Sequence, residues 1–274
     1  MIKTGLKIEE LKSVNDLISL KGKTAFITGA SGGIGRASAC ILAQAGANIC
    51  ITDLPQQQQA LDEIADYLSS AFGVKTMTTA LDLTDEEGIV DMIGKVAEEM
   101  GTIDIVHSNA GISSPEDNAD MSMEFWHKIV ATNLTSNLLV SRESAKIMRK
   151  DGHGGSIILT SSMSGYIVNR RPPGQHHIVG YCTVKAGVRQ MAKGMAMDFL
   201  GDNIRVNSIS PGYVLSGLHA SWSDELMDYV TSNIPMGRFS DLNEIMGPIL
   251  FLASDMSSYC TGTDIVIDGG FTVW

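Results

Sequence analysis

Short runs of β-branched and apolar residues alternate along this chain with longer stretches of helical periodicity, and that alternation admits few folds. The runs fall at 23–28, 48–52, 75–80, 103–107, 156–160, 204–209 and 265–267. Between them lie helical patterns at 34–44, 57–70, 85–100, 123–150 (one long helix or two) and 181–200. A crossover long enough to hold a helix joins parallel strands, and such crossovers are right-handed. Runs such as Ala25-Phe26-Ile27 and Ile157-Ile158-Leu159 show no polar alternation, so both faces of the sheet should be covered. The pattern predicts an α/β chain with a doubly wound, parallel seven-stranded sheet and helices on both faces. No linker, repeat or low-complexity stretch divides it. One domain is therefore expected over residues 21–274, behind an N-terminal extension of residues 1–20.

Charge narrows the partners. The chain has 274 residues, 20 Lys and Arg against 31 Asp and Glu, and a formal net charge of −11. Such a chain repels phosphate backbones and anionic headgroups, so nucleic acid and membrane surfaces are poor partners. No apolar run reaches the ~20 residues that span a bilayer. Residues 1–20 lack the apolar core of a secretion signal, and the expected compartment is the cytoplasm. The four scattered cysteines, Cys40, Cys50, Cys182 and Cys260, should remain reduced thiols there. They lack the spacing of a zinc site, and no metal is expected.

Thr28-Gly29-Ala30-Ser31-Gly32-Gly33-Ile34-Gly35 lies between the first expected strand and the first helix. Glycines at that place permit a tight turn and a close backbone approach to a pyrophosphate, which the free N–H groups of the helix start then hold. Asp53 ends the second strand, eighteen residues beyond Gly35. That is near the ~20-residue spacing of a carboxylate that binds adenosine ribose hydroxyls. A carboxylate there repels a 2′-phosphate, and no Arg or Lys follows it, so NAD is favoured over NADP. Arg36, inside the helix, is poorly placed to reach a phosphate.

Tyr181 and Lys185 stand four apart, on one face of the last long helix. A tyrosine with a pKa of ~10 is a poor base near neutrality. A nearby ammonium stabilises its phenolate and brings it towards the range that general acid–base work requires.

With these residues the chain resembles the short-chain dehydrogenase/reductase family, from about residue 20 to the C-terminus. The family's TGxxxGxG pattern matches Thr28, Gly29, Gly33 and Gly35, and its Asp after strand three matches Asp82. NAG matches Asn109-Ala110-Gly111, the helix asparagine matches Asn133, and the serine after strand five matches Ser162. YxxxK matches Tyr181 and Lys185, and PG matches Pro211-Gly212.

The resemblance implies a Rossmann fold and hydride transfer between nicotinamide and a secondary alcohol or its ketone. Tyr181 would exchange the proton with the substrate oxygen, and Lys185 would lower its pKa and hold the nicotinamide ribose. Ser162 would hydrogen-bond the same oxygen; it is preferred to Ser161 and Ser164 as the second of the doublet. Asn133 would anchor a water behind the lysine. The implied cofactor contacts are Gly29, Ser31, Gly33, Ile34 and Gly35 in the turn, then Asp53. Asp82 and Leu83 would meet the adenine. Asn109, Ala110 and Gly111 follow, with Tyr181, Lys185, Pro211, Gly212 and Val214. The family also implies a homo-oligomer, a dimer or tetramer, with the C-terminal Asp268-Gly269-Gly270 and Trp274 near a subunit interface.

Two segments should shape the substrate site. Ser162 and Tyr181 stand nineteen positions apart, more than the family commonly shows, and the extra residues lie in 166–180. Arg170, Arg171, His176 and His177 there can meet an anionic or polyhydroxylated substrate, or form a solvated polar loop. The second segment, about 213–238, reads as a mobile lid, with core packing by its Met and Trp residues as the alternative. A polyol or ketose is the expected substrate. A 3-oxoacyl-thioester reductase, a hydroxysteroid dehydrogenase and a non-catalytic NAD-sensing protein are the alternatives.

Overall fold

The computed structural model describes residues 8–172, 175–217 and 222–273. A short helix, α1 (Val14–Ile18), precedes β1 (Thr24–Thr28), α2 (Gly33–Gln44), β2 (Asn48–Asp53), α3 (Gln58–Phe72), β3 (Thr76–Ala80) and α4 (Glu86–Met100). There follow β4 (Ile105–Ser108), α5 (Met123–Val130), α6 (Ser136–Asp151), β5 (Gly155–Thr160) and α7 (Val179–Asp198). The chain continues through β6 (Ile204–Pro211), α8 (Asp224–Ser232), α9 (Asn243–Ala253) and β7 (Asp264–Ile267).

All seven strands run parallel, in the order β3-β2-β1-β4-β5-β6-β7. The winding reverses between β1 and β4, which leaves a crevice beyond the carboxyl ends of those strands. All five residues of β1 are buried because neighbours in sequence feed different layers. Phe26 joins Val106, Ile157 and the inner faces of α4, α6 and α7, whereas Ala25 and Ile27 join Ile49, Ile51 and the faces of α2, α3 and α9. Each fully buried large side chain contributes about 1.5–3 kcal/mol relative to an exposed one. This is the physical content of the unbroken apolar runs.

Local signals set most element ends. Ser13 caps α1 in a reciprocal box with Asp16, and Asp85 caps α4 by accepting from the Gly88 N–H at 2.9 Å. The expected fourth strand begins two residues late. Asp104 spends its carboxylate on the Thr24 N–H at 2.8 Å and on Lys23 at 3.1 Å, and the ladder opens after it. The stretch expected as one long helix or two is two, α5 and α6, joined through a π-helical turn at Ala131–Thr135.

Besides the short α1, two helices were not anticipated. α8 lies inside the expected lid and is capped by Ser223. Its Val230 belongs to a satellite core with Met163, Ile234, Phe239 and Phe271, against which Trp222, Met227 and Tyr213 pack. The segment therefore takes the packing alternative over its described residues. α9 was hidden by Gly247-Pro248, which reads as a break, although Pro248 sits inside the helix. Lys12 pairs with Asp255 at 2.7 Å and ties the N-terminal segment to the turn after α9. Phe271 is buried within its own chain, and Trp274 lies outside the described residues.

A Cβ at Gly35 would run into the Gly29 carbonyl oxygen, while one at Gly94 on α4 meets nothing within 4 Å. Gly35→Ala should cost about 1–3 kcal/mol through forced overlap. Gly94→Ala should be neutral or stabilising by up to about 1 kcal/mol through helix propensity. Thermal unfolding of the two variants reads the difference as a lowered and an unlowered Tm.

Candidate active site

The residues singled out in the sequence converge on the carboxyl edge of the sheet. Gly29, Ser31, Gly33, Ile34 and Gly35 form the turn from β1 into α2, and Asp53 ends β2. Asp82 and Leu83 follow β3, Asn109-Ala110-Gly111 follow β4, and Ser162 follows β5. Tyr181 and Lys185 open α7, Pro211 ends β6, and Gly212 and Val214 come directly after. Asn133 lies in the π turn, a distortion often found at functional sites.

The glycine turn is a cradle that side chains would fill. Gly29 adopts φ +65°, which L side chains rarely adopt, and a Cβ there would lie 2.9 Å from Ala110 Cα. A Cβ at Gly33 would lie 2.8 Å from Ser216 Cβ. Gly32 gives α2 no side-chain cap, so the first N–H groups of this 12-residue helix remain for a ligand. Free N–H groups and the helix dipole favour an anion there. A dinucleotide pyrophosphate fits this cradle.

Beside it, Asp53 Oδ2 accepts from the Ser31 N–H at 2.9 Å and the Ser31 hydroxyl at 2.7 Å. Its other oxygen accepts from the Leu54 N–H at 2.8 Å. The carboxylate is thus aimed into the turn rather than outward. Arg36 differs from its expected position. Its guanidinium folds back and donates to the Ser31 carbonyl at 2.8 Å, which brings a cation to the same turn. Asp82 is engaged locally, accepting from the Thr84 N–H and hydroxyl, both at 2.9 Å. Leu83 is buried.

The three serines after β5 separate clearly. Ser161 donates to the Lys185 carbonyl at 2.8 Å, and Ser164 donates to Asn169 Oδ1 at 2.6 Å. The Ser162 hydroxyl accepts from the Ser164 N–H at 3.1 Å and is the one of the three that acts on the Tyr181 phenol. Burial pushes the Tyr181 phenol up to about 12, against the lowering effect of the Ser162 hydroxyl. Lys185 is 2% exposed; its ammonium donates to the Thr160 carbonyl at 2.8 Å and lies 5.5 Å from the Tyr181 ring centroid. Burial brings the lysine down to about 8. Burial therefore outweighs the expected action of the ammonium on the phenol in the free protein.

Asn133 is fully buried and grips the backbone of Ile112 twice, accepting at 2.7 Å and donating at 2.8 Å. A Cβ at Gly111 would meet Asn133 Oδ1 at 2.8 Å and Lys185 Nζ at 3.4 Å. Gly111 is the gap that lets these two approach.

Two contributors carry no local sequence signal. Asp117 is 2% exposed, and its carboxylate accepts from the N–H groups of Gly180 at 2.7 Å and Tyr181 at 2.8 Å. It caps α7 from 64 residues away. The available hint is that Ile178, the residue before the helix, offers no capping side chain. His107 is fully buried in β4, between Ser38 at 2.8 Å and Thr160 at 2.9 Å, and burial pushes it down to about 3. It is therefore neutral. Thr160 spends its hydrogen on Asn109 Oδ1 at 3.2 Å, so His107 must donate from Nε2 and accept from Ser38 at Nδ1.

A doubly wound parallel sheet with this cradle at its winding reversal, and a serine, tyrosine and lysine beyond it, defines a nicotinamide-dependent oxidoreductase. Residues 29–272 match the family described as Enoyl-(Acyl carrier protein) reductase. A sorbose reductase of Candida albicans is 38% identical, covering 95% of this chain and 90% of its own. An NADP-dependent mannitol dehydrogenase of Hypocrea jecorina is 36% identical over 94% and 95%. The crystal structure of a short-chain type dehydrogenase/reductase from Mycobacterium marinum superposes with a TM-score of 0.86 at 41% identity, covering 95% of this chain and 99% of that one. The chain belongs to the short-chain dehydrogenase/reductase family.

Asp117→Ala should remove the cap of α7 at a cost of about 1–2 kcal/mol. Because the cap bonds the N–H of Tyr181 itself, kcat should fall more than stability alone explains. Asp117→Asn, which keeps an acceptor, should restore part of both. Steady-state kinetics beside thermal unfolding separates the two effects.

Proposed function

We propose that this protein is an NAD(H)-dependent oxidoreductase that interconverts a secondary alcohol and its ketone, with a polyol or ketose as substrate. The observation that carries the reading is the half-buried Tyr181 phenol beside the Ser162 hydroxyl, with the buried Lys185 ammonium 5.5 Å from its ring centroid. The sorbose reductase and mannitol dehydrogenase relatives support the substrate class. The bound cofactor supplies or accepts the hydride, and this chain supplies position and the proton.

Ser162 and Tyr181 would hold the substrate oxygen between them and stabilise the charge that develops on it. With its pKa raised by burial, Tyr181 holds its proton at neutral pH and is ready to donate it to a forming alkoxide. Lys185 would stabilise the resulting phenolate, and Asn133 and the Ile112 backbone would hold the lysine's surroundings rigid. Gly29, Gly33 and Gly35 would admit the pyrophosphate; Asp53 would take the adenosine ribose hydroxyls in place of Ser31. Asp82, Leu83, Asn109, Ala110, Gly111, Pro211, Gly212 and Val214 would complete the cofactor groove. A homo-oligomer in the cytoplasm belongs to the same reading, supported by family resemblance.

NAD is preferred because a carboxylate at Asp53 would repel the 2′-phosphate of NADP. A second reading, NADP use, is favoured by the Arg36 guanidinium over the turn and by the mannitol dehydrogenase relative, which is NADP-dependent. The comparison of kcat/KM with NAD(H) and NADP(H) decides between them. An at least tenfold preference for NAD(H) is expected, and Asp53→Asn should shrink it; parity or an NADP(H) preference would remove the role given to Asp53.

Tyr181→Phe should lower kcat by at least 100-fold, in line with the loss of a general acid–base group, while NAD(H) still raises the Tm. Retained turnover in that variant would refute the assignment. Carbonyl reduction draws on the phenol proton and on a charged Lys185. The rate should therefore hold through neutral pH and fall above about 8, where the lysine loses its charge. Alcohol oxidation, which returns a proton to the site, should rise with pH instead. NADH absorbance across a pH series reads both.

A further inference from the structure

The segment at 166–180 keeps its charged groups at or near the surface: Arg170, His176 and His177 are exposed, and Arg171 is half-buried. The polar residue it buries is Asn169, which is 4% exposed. A carboxamide is tolerated inside a protein when both its oxygen and its amide find partners. Asn169 Oδ1 accepts from the Ser164 hydroxyl at 2.6 Å, and Nδ2 donates to the Tyr213 hydroxyl oxygen at 2.9 Å.

These two bonds lead in opposite directions. On one side, the Ser164 N–H donates to Ser162 Oγ at 3.1 Å, and the Gly165 N–H donates to the Ser162 carbonyl at 2.9 Å. The orientation of the Ser162 hydroxyl therefore follows the position of Ser164. On the other side, Tyr213 comes directly after Pro211-Gly212, with its ring set among three others. The centroids of Trp222, Phe239 and Phe271 lie 6.1, 5.4 and 5.6 Å from its own. These rings belong to the satellite core that includes Val230 of α8, and Ile167 packs against the same core. A line of hydrogen bonds thus runs from Ser162 through Ser164 and Asn169 to Tyr213. Each bond along it is fixed by a buried or half-buried group.

We propose that Asn169 is a positioning residue for the reaction: through Ser164 and Tyr213 it locks the Ser162 hydroxyl to the aromatic core beneath α8. The inference rests on the reading of Ser162 and Tyr181 given above. Asparagine suits the place because it offers an acceptor to one hydroxyl and a donor to the other. A group that stabilises developing charge acts only at the right distance, so a small displacement lowers rate more than substrate binding. No residue of the glycine turn belongs to the line, so NAD(H) binding should be left unchanged.

Three variants test the link, with NADH and a ketose that the wild type reduces. Asn169→Leu removes both bonds at similar volume, and Tyr213→Phe removes one while keeping the ring. Asn169→Asp keeps both, because a carboxylate accepts from two hydroxyls and its protonated form donates as the amide does. Asn169→Leu should lower kcat about tenfold with KM and the Tm gain from NAD(H) nearly unchanged, Tyr213→Phe should lower it less, and Asn169→Asp should recover most of the loss. The decisive readout is coupling: in a Ser162→Ala background, Asn169→Leu should cost less than about twofold, because the hydroxyl it positions is gone. A purely structural role would lower kcat equally in both backgrounds. That result, or full kcat in Asn169→Leu, would overturn the proposal; if Asn169→Leu does not fold, Tyr213→Phe takes its place in the comparison. Turnover of no polyol or ketose would instead remove the substrate reading. The link is then decided, as it is where Ser162→Ala leaves no measurable rate, by amide hydrogen exchange. Tyr213→Phe should speed exchange at Ser164 and Gly165, and unchanged exchange there would overturn the proposal.

Discussion

The structure turns on a short chain of hydrogen bonds across the winding reversal between β1 and β4. The Thr28 hydroxyl accepts from the N–H groups of Asn109 at 2.9 Å and Ala110 at 3.0 Å. Asn109 returns its amide to the carbonyls of Thr28 at 3.2 Å and Gly29 at 3.3 Å. Thr160 donates to Asn109, His107 supports Thr160, and Lys185 donates to the Thr160 carbonyl. The glycine turn and the lysine are thereby parts of one buried network. In a low-dielectric interior such a network is rigid when every member is satisfied and costly when one is not. Its members here are satisfied, down to the tautomer of His107.

That constraint gives the site two halves of different character. The cofactor half is held by backbone: a turn at positive φ, close approaches that exclude Cβ atoms, and uncapped N–H groups of α2. The chemical half is held by side chains whose burial moves their titration, with Tyr181 pushed up and Lys185 brought down. Both shifts have the same cause, removal of the charged form from water. Burial thus makes the free site a proton-holding phenol beside a lysine that loses its charge more readily than usual.

Most of this arrangement was legible in the sequence because it rests on local rules. Unbroken apolar runs required a sheet covered on both faces, and the structure has seven parallel strands so covered. Gly29, Gly33 and Gly35 were legible because only glycine fits where backbones nearly touch, and Tyr181 with Lys185 because a helix aligns residues four apart. What escaped was non-local. Asp117 caps a helix from 64 positions away, His107 looks like any residue of an apolar strand, and Arg36 needed its side-chain direction to be known. α9 escaped for another reason, since Pro248 inside a helix contradicts propensity and is outweighed by burial of Ile245, Ile249 and Leu252.

The non-local contributors share a logic. α7 begins in a segment with no capping residue of its own, so its start depends on whichever acid the β4–α5 connection delivers. The same start is bordered by the segment that carries Arg171, whose backbone is tied to α8. The position of Tyr181 is therefore set jointly by the cap from Asp117 and by a segment anchored through Asn169 and Tyr229. None of these anchors belongs to the cofactor half. Substrate-side loops can consequently diverge in length and charge without disturbing the turn that binds the dinucleotide, provided that one acid still reaches the N–H groups of Gly180 and Tyr181. The physical separation of a backbone-built cofactor site from a side-chain-built substrate site is what allows one fold to serve many alcohols.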